Sequence, residues 1–334
     1  MRSADHGVLA AAADWLDGGY GVYLVTVTRT WGSAPRPAGS LLAVREDGEF
    51  IGSVSGGCIE EDLAGGRAAR VGPKVFPAIE TYGVSAEQTH RFGLPCGGRL
   101  DLLVERLASA APVRALLRAM DEHRLMRRRV CLSTGEVSLH AAEEGEQFQF
   151  DGENVIRVFG PQWRLLLIGA GQLSRHVAEM ALALDYHVIV CDPREEYARA
   201  WTVTGAELDT GMPDEVVRSR ASDARAAVVA LTHDPRLDDP ALLEALASRA
   251  FYVGALGSKA NNARRRARLA ELGLAPTQLA RLHGPVGLPI GSRTPAEIAI
   301  AILAELTAER HGVRWRAEGE VASGVMQPVA ACGG

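Results

Sequence analysis

The feature that most constrains this chain is a short run, apolar after its opening arginine, that ends in a glycine turn. Arg164 to Ile168, RLLLI, leads directly into Gly169-Ala170-Gly171-Gln172-Leu173-Ser174, and helical spacing follows. A strand without polar alternation is buried on both faces, as in a parallel sheet covered by helices. The G-x-G-x-x-S spacing between strand and helix is the arrangement that seats a pyrophosphate at a helix N-terminus. Gly169 and Gly171 let the chain turn tightly and approach phosphates, while Ser174 is small enough for close helix–strand packing. A second apolar run, His187 to Cys191, ends at Asp192, where dinucleotide-binding folds place an acidic group against a ribose. Arg194 follows two residues later, and either favours a phosphorylated ligand or pairs at a helix start. Ala226 to Leu231 and Phe251 to Ala255 supply two further apolar strands, with helical segments between. This alternation predicts a Rossmann-like, doubly wound parallel sheet. The loop alone leaves two readings open, a nucleotide site or an inherited fold whose loop serves packing.

The half before it has a different texture. Val8 to Leu16 has helical apolar spacing, and Gly21 to Thr28 reads as a strand. Leu41 to Arg45 and Glu49 to Val54 read as a hairpin around Asp47-Gly48. A helix is expected from Cys58 towards Arg70, a strand over Arg99 to Leu107, a helix over Val113 to Glu122, and short strands over Val130 to Ser138 and Gln147 to Phe159. The fold class is therefore α/β: a mixed α/β domain over residues 1–159, a Rossmann-like domain over 160–315, and a tail over 316–334. The last long helix is expected from Pro295 to Arg310.

Two of the five cysteines sit in glycine-rich loops. Gly56-Gly57-Cys58 opens the helix, so backbone amides there can hold an anion and the thiol is expected to be acidic. Glu60, Glu61 and Asp62 oppose that shift. Pro95-Cys96-Gly97-Gly98 displays the second cysteine between a fixed proline and two glycines. Such loops suit a backbone and a sulfur that both meet a ligand. A soft metal, a sulfur-transfer step and a reversible disulfide are all compatible with the pair. Zinc needs two more ligands, and no spacing fixes His90 or His6 as those ligands. No CxxC pair exists, and an odd, sparse count is no disulfide framework.

Three other segments carry chemistry-bearing residues. Gly257-Ser258-Lys259, followed by Asn262, Arg264, Arg265 and Arg266, either holds a phosphate at the sheet edge or forms a solvated basic helix face. Thr232-His233-Asp234 follows a strand end, where His233 is an acid–base candidate or a turn cap. Thr294, Pro295 and Glu297 form a capping box, which needs no functional explanation.

The segments VTVTRTWGSAPRPAGSLLAV, GSVSGGCIEEDL and FGLPCGG, with LLLIGAGQLSRHVA, VCDPREEYA, YVGALGSKANNARRRARL and GPVGLPIGSRTPAEIAIAILAEL, run in order from about Tyr20 to Arg310. On them the chain resembles the XdhC/CoxI family of xanthine dehydrogenase accessory proteins. The resemblance implies a chaperone that binds the molybdenum cofactor, a pterin with a phosphate and a dithiolene-held metal. It implies protection of the cofactor during exchange of an oxo ligand for sulfur, and delivery to apo xanthine dehydrogenase or a related molybdenum hydroxylase. A cysteine desulfurase is the implied sulfur source and a homodimer the expected state. Carried onto this chain, Cys58 and Cys96 are the metal-facing residues, with Gly56, Gly57, Gly97 and Gly98 beside them. Gly169, Gly171 and Asp192 are the expected nucleotide contacts, for NAD(P) or another nucleotide. Arg29, Arg36 and Arg91 lie near the cysteine loops and either meet charge or face solvent. The alternatives are an NAD(P)-dependent oxidoreductase and a nucleotide-responsive redox protein.

Composition narrows the classes. With 47% hydrophobic residues over 334, disorder is excluded and two ordinary domains fit. A formal charge of −5 argues against nonspecific nucleic-acid binding. No apolar run approaches the roughly 18 residues of a membrane-spanning helix, and the N-terminus lacks a secretory pattern, so a cytoplasmic location is expected.

Overall fold

The structure is a computed structural model that describes residues 3–31, 36–68, 77–83, 99–143 and 146–313. Contacts divide the chain into two compact units. One runs to Leu165 and takes in Ala181–Val188; the other takes in Leu166–Met180 and continues from Ile189.

The first unit begins with α1 (Ala4–Asp17), capped by the Ser3 side chain. Strands β1 (Val22–Trp31), β2 (Leu41–Arg45) and β3 (Phe50–Gly52) follow, then the short helix α2 (Cys58–Asp62). Next come β4 (Ala78–Tyr82), β5 (Arg99–Arg106) and α3 (Ala111–Asp121). The five strands form one antiparallel sheet in the order β3-β2-β1-β5-β4. Strand β1 is buried at seven successive positions because the sheet is covered on both faces. Val22 and Leu24 pack with Leu9 and Ala12 of α1 and with Leu116 of α3. Tyr23, Val25 and Val27 pack on the opposite side with Ile59 and Leu63. Each such side chain is worth about 1.5–3 kcal/mol of burial. Ile59 thus anchors the helix that carries Cys58.

The expected long helix after Gly57 is interrupted. Past Asp62 the chain makes a wide helical turn over Leu63–Arg67, where Gly66 has φ +96° and ends the regular hydrogen bonding. The single strands expected over 130–138 and 147–159 are each two strands. A four-stranded antiparallel sheet, in the order β7-β6-β9-β8, is built from β6 (Met126–Cys131), β7 (Val137–Ala141), β8 (Gln149–Phe150) and β9 (Asn154–Phe159). Gly135 at φ +72° and Gly152 at φ +99° turn the chain between them.

The part of the chain from Arg164 onward forms the expected parallel sheet. It comprises β10 (Arg164–Ile168), α4 (Gln172–Ala183), β11 (His187–Cys191), α5 (Glu195–Arg199), β12 (Glu207–Asp209) and α6 (Pro213–Arg220). It continues with β13 (Ala226–Ala230), α7 (Pro235–Ala247), β14 (Tyr252–Ala255), α8 (Lys259–Glu271), α9 (Pro276–Leu279), β15 (Leu282–His283) and α10 (Pro295–Arg310). Strand order is β12-β11-β10-β13-β14-β15. Every residue of β10 and β13 is buried, which is why both read as unbroken apolar runs. The chain winds outward from β10 through β11 and β12, then returns to β13 on β10's other side. The loops after β10 and β13 therefore flank the switch point, where open α/β sheets bind ligands. Among the described residues no helix is long and apolar enough to cross a membrane. The expected tail, 316–334, lies outside the described residues.

Candidate functional site

The loop before α2 is organised around a group for which the expected role was only a dipole effect. Glu60 is 2% exposed. One carboxylate oxygen accepts the backbone N–H groups of Val54, Ser55 and Gly56 at 2.7, 2.7 and 3.1 Å, and the Ser53 hydroxyl at 2.8 Å. The other accepts the Gly57 N–H at 2.9 Å and the Ser55 hydroxyl. Gly56 and Gly57, at φ +97° and +145°, curl successive amides to one side and make an anion nest. The amides expected to hold a ligand anion are thus filled by the chain's own carboxylate. Burial opposes ionisation of Glu60, but the two serines and the amides outweigh it and bring its pKa down to about 2. The signal was present as a capping-box spacing, because Glu60 is the third helical residue after Gly57. Cys58 occupies the first helical position, as expected. Arg36 reaches the same loop, donating from Nε to the Ser53 hydroxyl at 3.3 Å. Arg29 instead stacks over the Phe150 ring at 4.4 Å. Cys96, Gly97, Gly98, His90 and Arg91 lie outside the described residues. His6 is buried in the first unit with Nε2 3.2 Å from an Asp121 carboxylate oxygen, so its ring has a structural partner.

The glycine turn after β10 is well defined. Gly169 has φ +103°, and a Cβ there would lie 2.7 Å from Thr232 Cγ2, so the fold itself requires glycine. Gly171 differs: a Cβ there would meet nothing within 4 Å. A cleft of about 440 Å³ opens over Ala170–Gln172 and is lined further by Arg175, Glu196, Tyr197 and Ala200. Asp192 does not face this cleft as an open ribose acceptor. It is fully buried, and it accepts from the Ala170 N–H at 2.8 Å and from the Arg194 N–H, Nε and Nη2 at 3.1, 2.9 and 2.8 Å. Burial opposes its ionisation, but Arg194 and the Ala170 amide outweigh it and hold its pKa below the usual carboxylate range. Arg194 in turn lies 3.8 Å from the Tyr197 ring.

The basic helix after β14 divides, with Lys259 and Arg264 exposed and Arg265 turned into a buried network. Arg265 is buried and donates to Asp238, Asn262 and the Leu256 carbonyl at 3.1, 2.7 and 3.0 Å. Asn262, also buried, bonds back to the Gly257 carbonyl at 3.0 Å. Arg266 donates to the carbonyls of Leu282 and Gly284. Asp238, whose pKa burial raises, also accepts the Thr232 hydroxyl at 2.6 Å. His233 is exposed beside this network at φ +67°, a conformation uncommon outside glycine. The Thr294–Glu297 capping box forms as expected. Glu305 was not anticipated: it accepts from Tyr252 at 2.6 Å and from the Gly287 N–H at 2.6 Å, and lies 2.9 Å from His283 Nδ1. No group of three or more metal-ligating side chains occurs among the described residues.

Two family models match separate stretches of the chain. One, the XdhC and CoxI family, matches residues 15–71, the segment that contains the Glu60 nest and Cys58. The other, the XdhC Rossmann domain, matches residues 165–306, the whole run from β10 into α10. The chain belongs to the XdhC/CoxI family. This XdhC-family chain is 29% identical over 312 residues to the molybdenum cofactor insertion chaperone PaoD of Escherichia coli, covering 91% of this chain and 88% of PaoD. It is 26% identical over 326 residues to a probable xanthine dehydrogenase subunit of Bacillus subtilis, covering 87% and 93% of the two chains. A crystal structure described as a xanthine dehydrogenase from Bacillus halodurans superposes with a TM-score of 0.74 at 24% identity, covering 94% of this chain and 97% of that one. At that identity the likeness bears on the fold, and it extends over both units.

Proposed function

We propose that this XdhC-family chain is an accessory factor in the maturation of a molybdenum hydroxylase. In this role it binds the molybdenum cofactor as cargo, shields it while an oxo ligand is exchanged for sulfur, and hands it to the apo-enzyme. The observation that carries the reading is the nearly end-to-end match to a named molybdenum cofactor insertion chaperone, which spans both units rather than the Rossmann part alone. Xanthine dehydrogenase or a related hydroxylase is the proposed client, a cysteine desulfurase the proposed sulfur donor, and a homodimer the proposed working state.

Cys58 and Cys96 are the proposed soft donors to the metal–sulfur core, since thiolates suit such a centre. The Glu60 nest refines the role of the first loop. With its amides taken, that loop has no open cradle for a phosphate, and its proposed contribution is Cys58.

The test is the molybdenum content of protein purified from cells with and without molybdopterin synthesis. Molybdenum is expected to co-purify only from competent cells and to fall at least severalfold in Cys58→Ala. Equal, near-zero metal from both cell types would contradict the reading.

A further inference from the structure

We propose that the cleft over the Ala170–Gln172 turn binds a nucleotide whose ribose carries a phosphate, met by Arg175, which lines the cleft, and by Arg194, which stacks on the lining Tyr197, in preference to the same nucleotide with a free ribose diol. The first ground is what Asp192 cannot do. In this fold an acidic residue at the end of the second strand accepts the ribose hydroxyls, and an arginine nearby accommodates a 2′-phosphate instead. The Asp192 carboxylate is 0% exposed and already receives four hydrogen bonds, three of them from Arg194. A carboxylate has about four acceptor positions, so no site remains for a diol.

The second ground is what Arg194 still offers. Its Nε and Nη2 face Asp192, and among the described residues Nη1 makes no hydrogen bond. The side chain is 28% exposed. The bidentate pair and the Tyr197 ring fix the guanidinium plane before any ligand arrives. The outer edge of that guanidinium, Nη1 with the second hydrogen of Nη2, remains a planar, pre-oriented fork that matches a phosphate better than a hydroxyl pair. Arg175, on the first turn of α4, lines the cleft and is itself held by the Ala200 carbonyl. Glu196 also lines the cleft, and Arg175 offsets its charge. Discrimination therefore rests on directed donors, not on net charge.

The third ground is Gly171. Its backbone needs no left-handed φ, and a side chain there would meet no neighbour, so the fold does not demand a glycine. The space above it belongs to the cleft, where a diphosphate would approach the backbone. A volume of about 440 Å³ lies within the range of small-molecule sites.

The test is calorimetry of the full-length protein with NADP+ and with NAD+. NADP+ is expected to bind at least tenfold more tightly. Gly171→Leu is expected to keep the melting temperature and lose both nucleotides. Arg194→Lys keeps a cation against Asp192 but removes the fork, and is expected to bring the two affinities within about threefold. Equal or tighter binding of NAD+ by the parent would overturn the proposal, and so would failure of the parent to bind either nucleotide. The outcome leaves the molybdenum reading untouched, because metal content tests that separately.

Discussion

At the scale of single residues, two carboxylates turn out to be internal ligands. Glu60 closes the loop before Cys58, and Asp192 closes the glycine turn through the Ala170 amide and Arg194. A buried carboxylate that receives several amide N–H bonds is held ionised, and removing it orphans every donor. Glu60→Ala is therefore expected to cost about 2–3 kcal/mol in a urea unfolding experiment, within the range for bonds to charged groups. The pH dependence has a definite sign. The folded pKa of Glu60, about 2, lies below its ordinary value of 4.5, so its stabilisation is complete above 4.5 and fades as pH falls towards 2. The stability gap between parent and Glu60→Gln should accordingly be wide at pH 7 and narrow between pH 5 and 2. A gap that stays constant across that range would mean the nest does not depend on the charge.

At the scale of elements, the last helix is tied to the sheet edge by one side chain. Glu305 of α10 bonds Tyr252 on β14 and lies beside His283 on β15, and the Gly287 N–H completes the set. Tyr252 is 1% exposed, so deleting its partner leaves a buried hydroxyl unsatisfied. Glu305→Ala is expected to lower stability by about 1–3 kcal/mol and to speed amide exchange in β15 before the rest of the sheet. An unchanged urea midpoint would contradict this. The elements themselves were largely legible. RLLLI, HVIVC and AAVVA announce buried parallel strands because each is an unbroken apolar run, and Thr294-Pro295 marks the start of α10 where it forms. The turns at Gly135 and Gly152 are carried by the short signals Thr134-Gly135 and Asp151-Gly152, which strand-forming residues soon follow, so each stretch reads as one strand.

At the scale of the whole molecule, the two candidate sites differ in what sequence can announce. The glycine turn, its strand and its helix lie within a few residues of one another, so their spacing alone identifies the motif. The partners that decide what the motif does come from elsewhere. Asp192 could face a ribose or the Ala170 amide, and only the folded position of Arg194 settles the choice. Arg265 reads as a surface cation until Asp238, on a different helix, is seen to bury it. In the cysteine loop only the spacing of Glu60 behind Gly57 was legible, whereas the filling of the other amides was not, since it depends on five consecutive residues curling around one carboxylate. Family membership over both units then gives the cysteine loop a proposed purpose, the custody of a molybdenum cofactor. That purpose is tested most directly by titrating the purified, reduced protein with molybdenum cofactor, alongside Cys58→Ala and Cys96→Ala variants. The account predicts saturable binding by the parent and at least tenfold weaker binding by each variant with the fold intact. Parent protein that does not bind, or variants that bind as tightly as the parent, would contradict it.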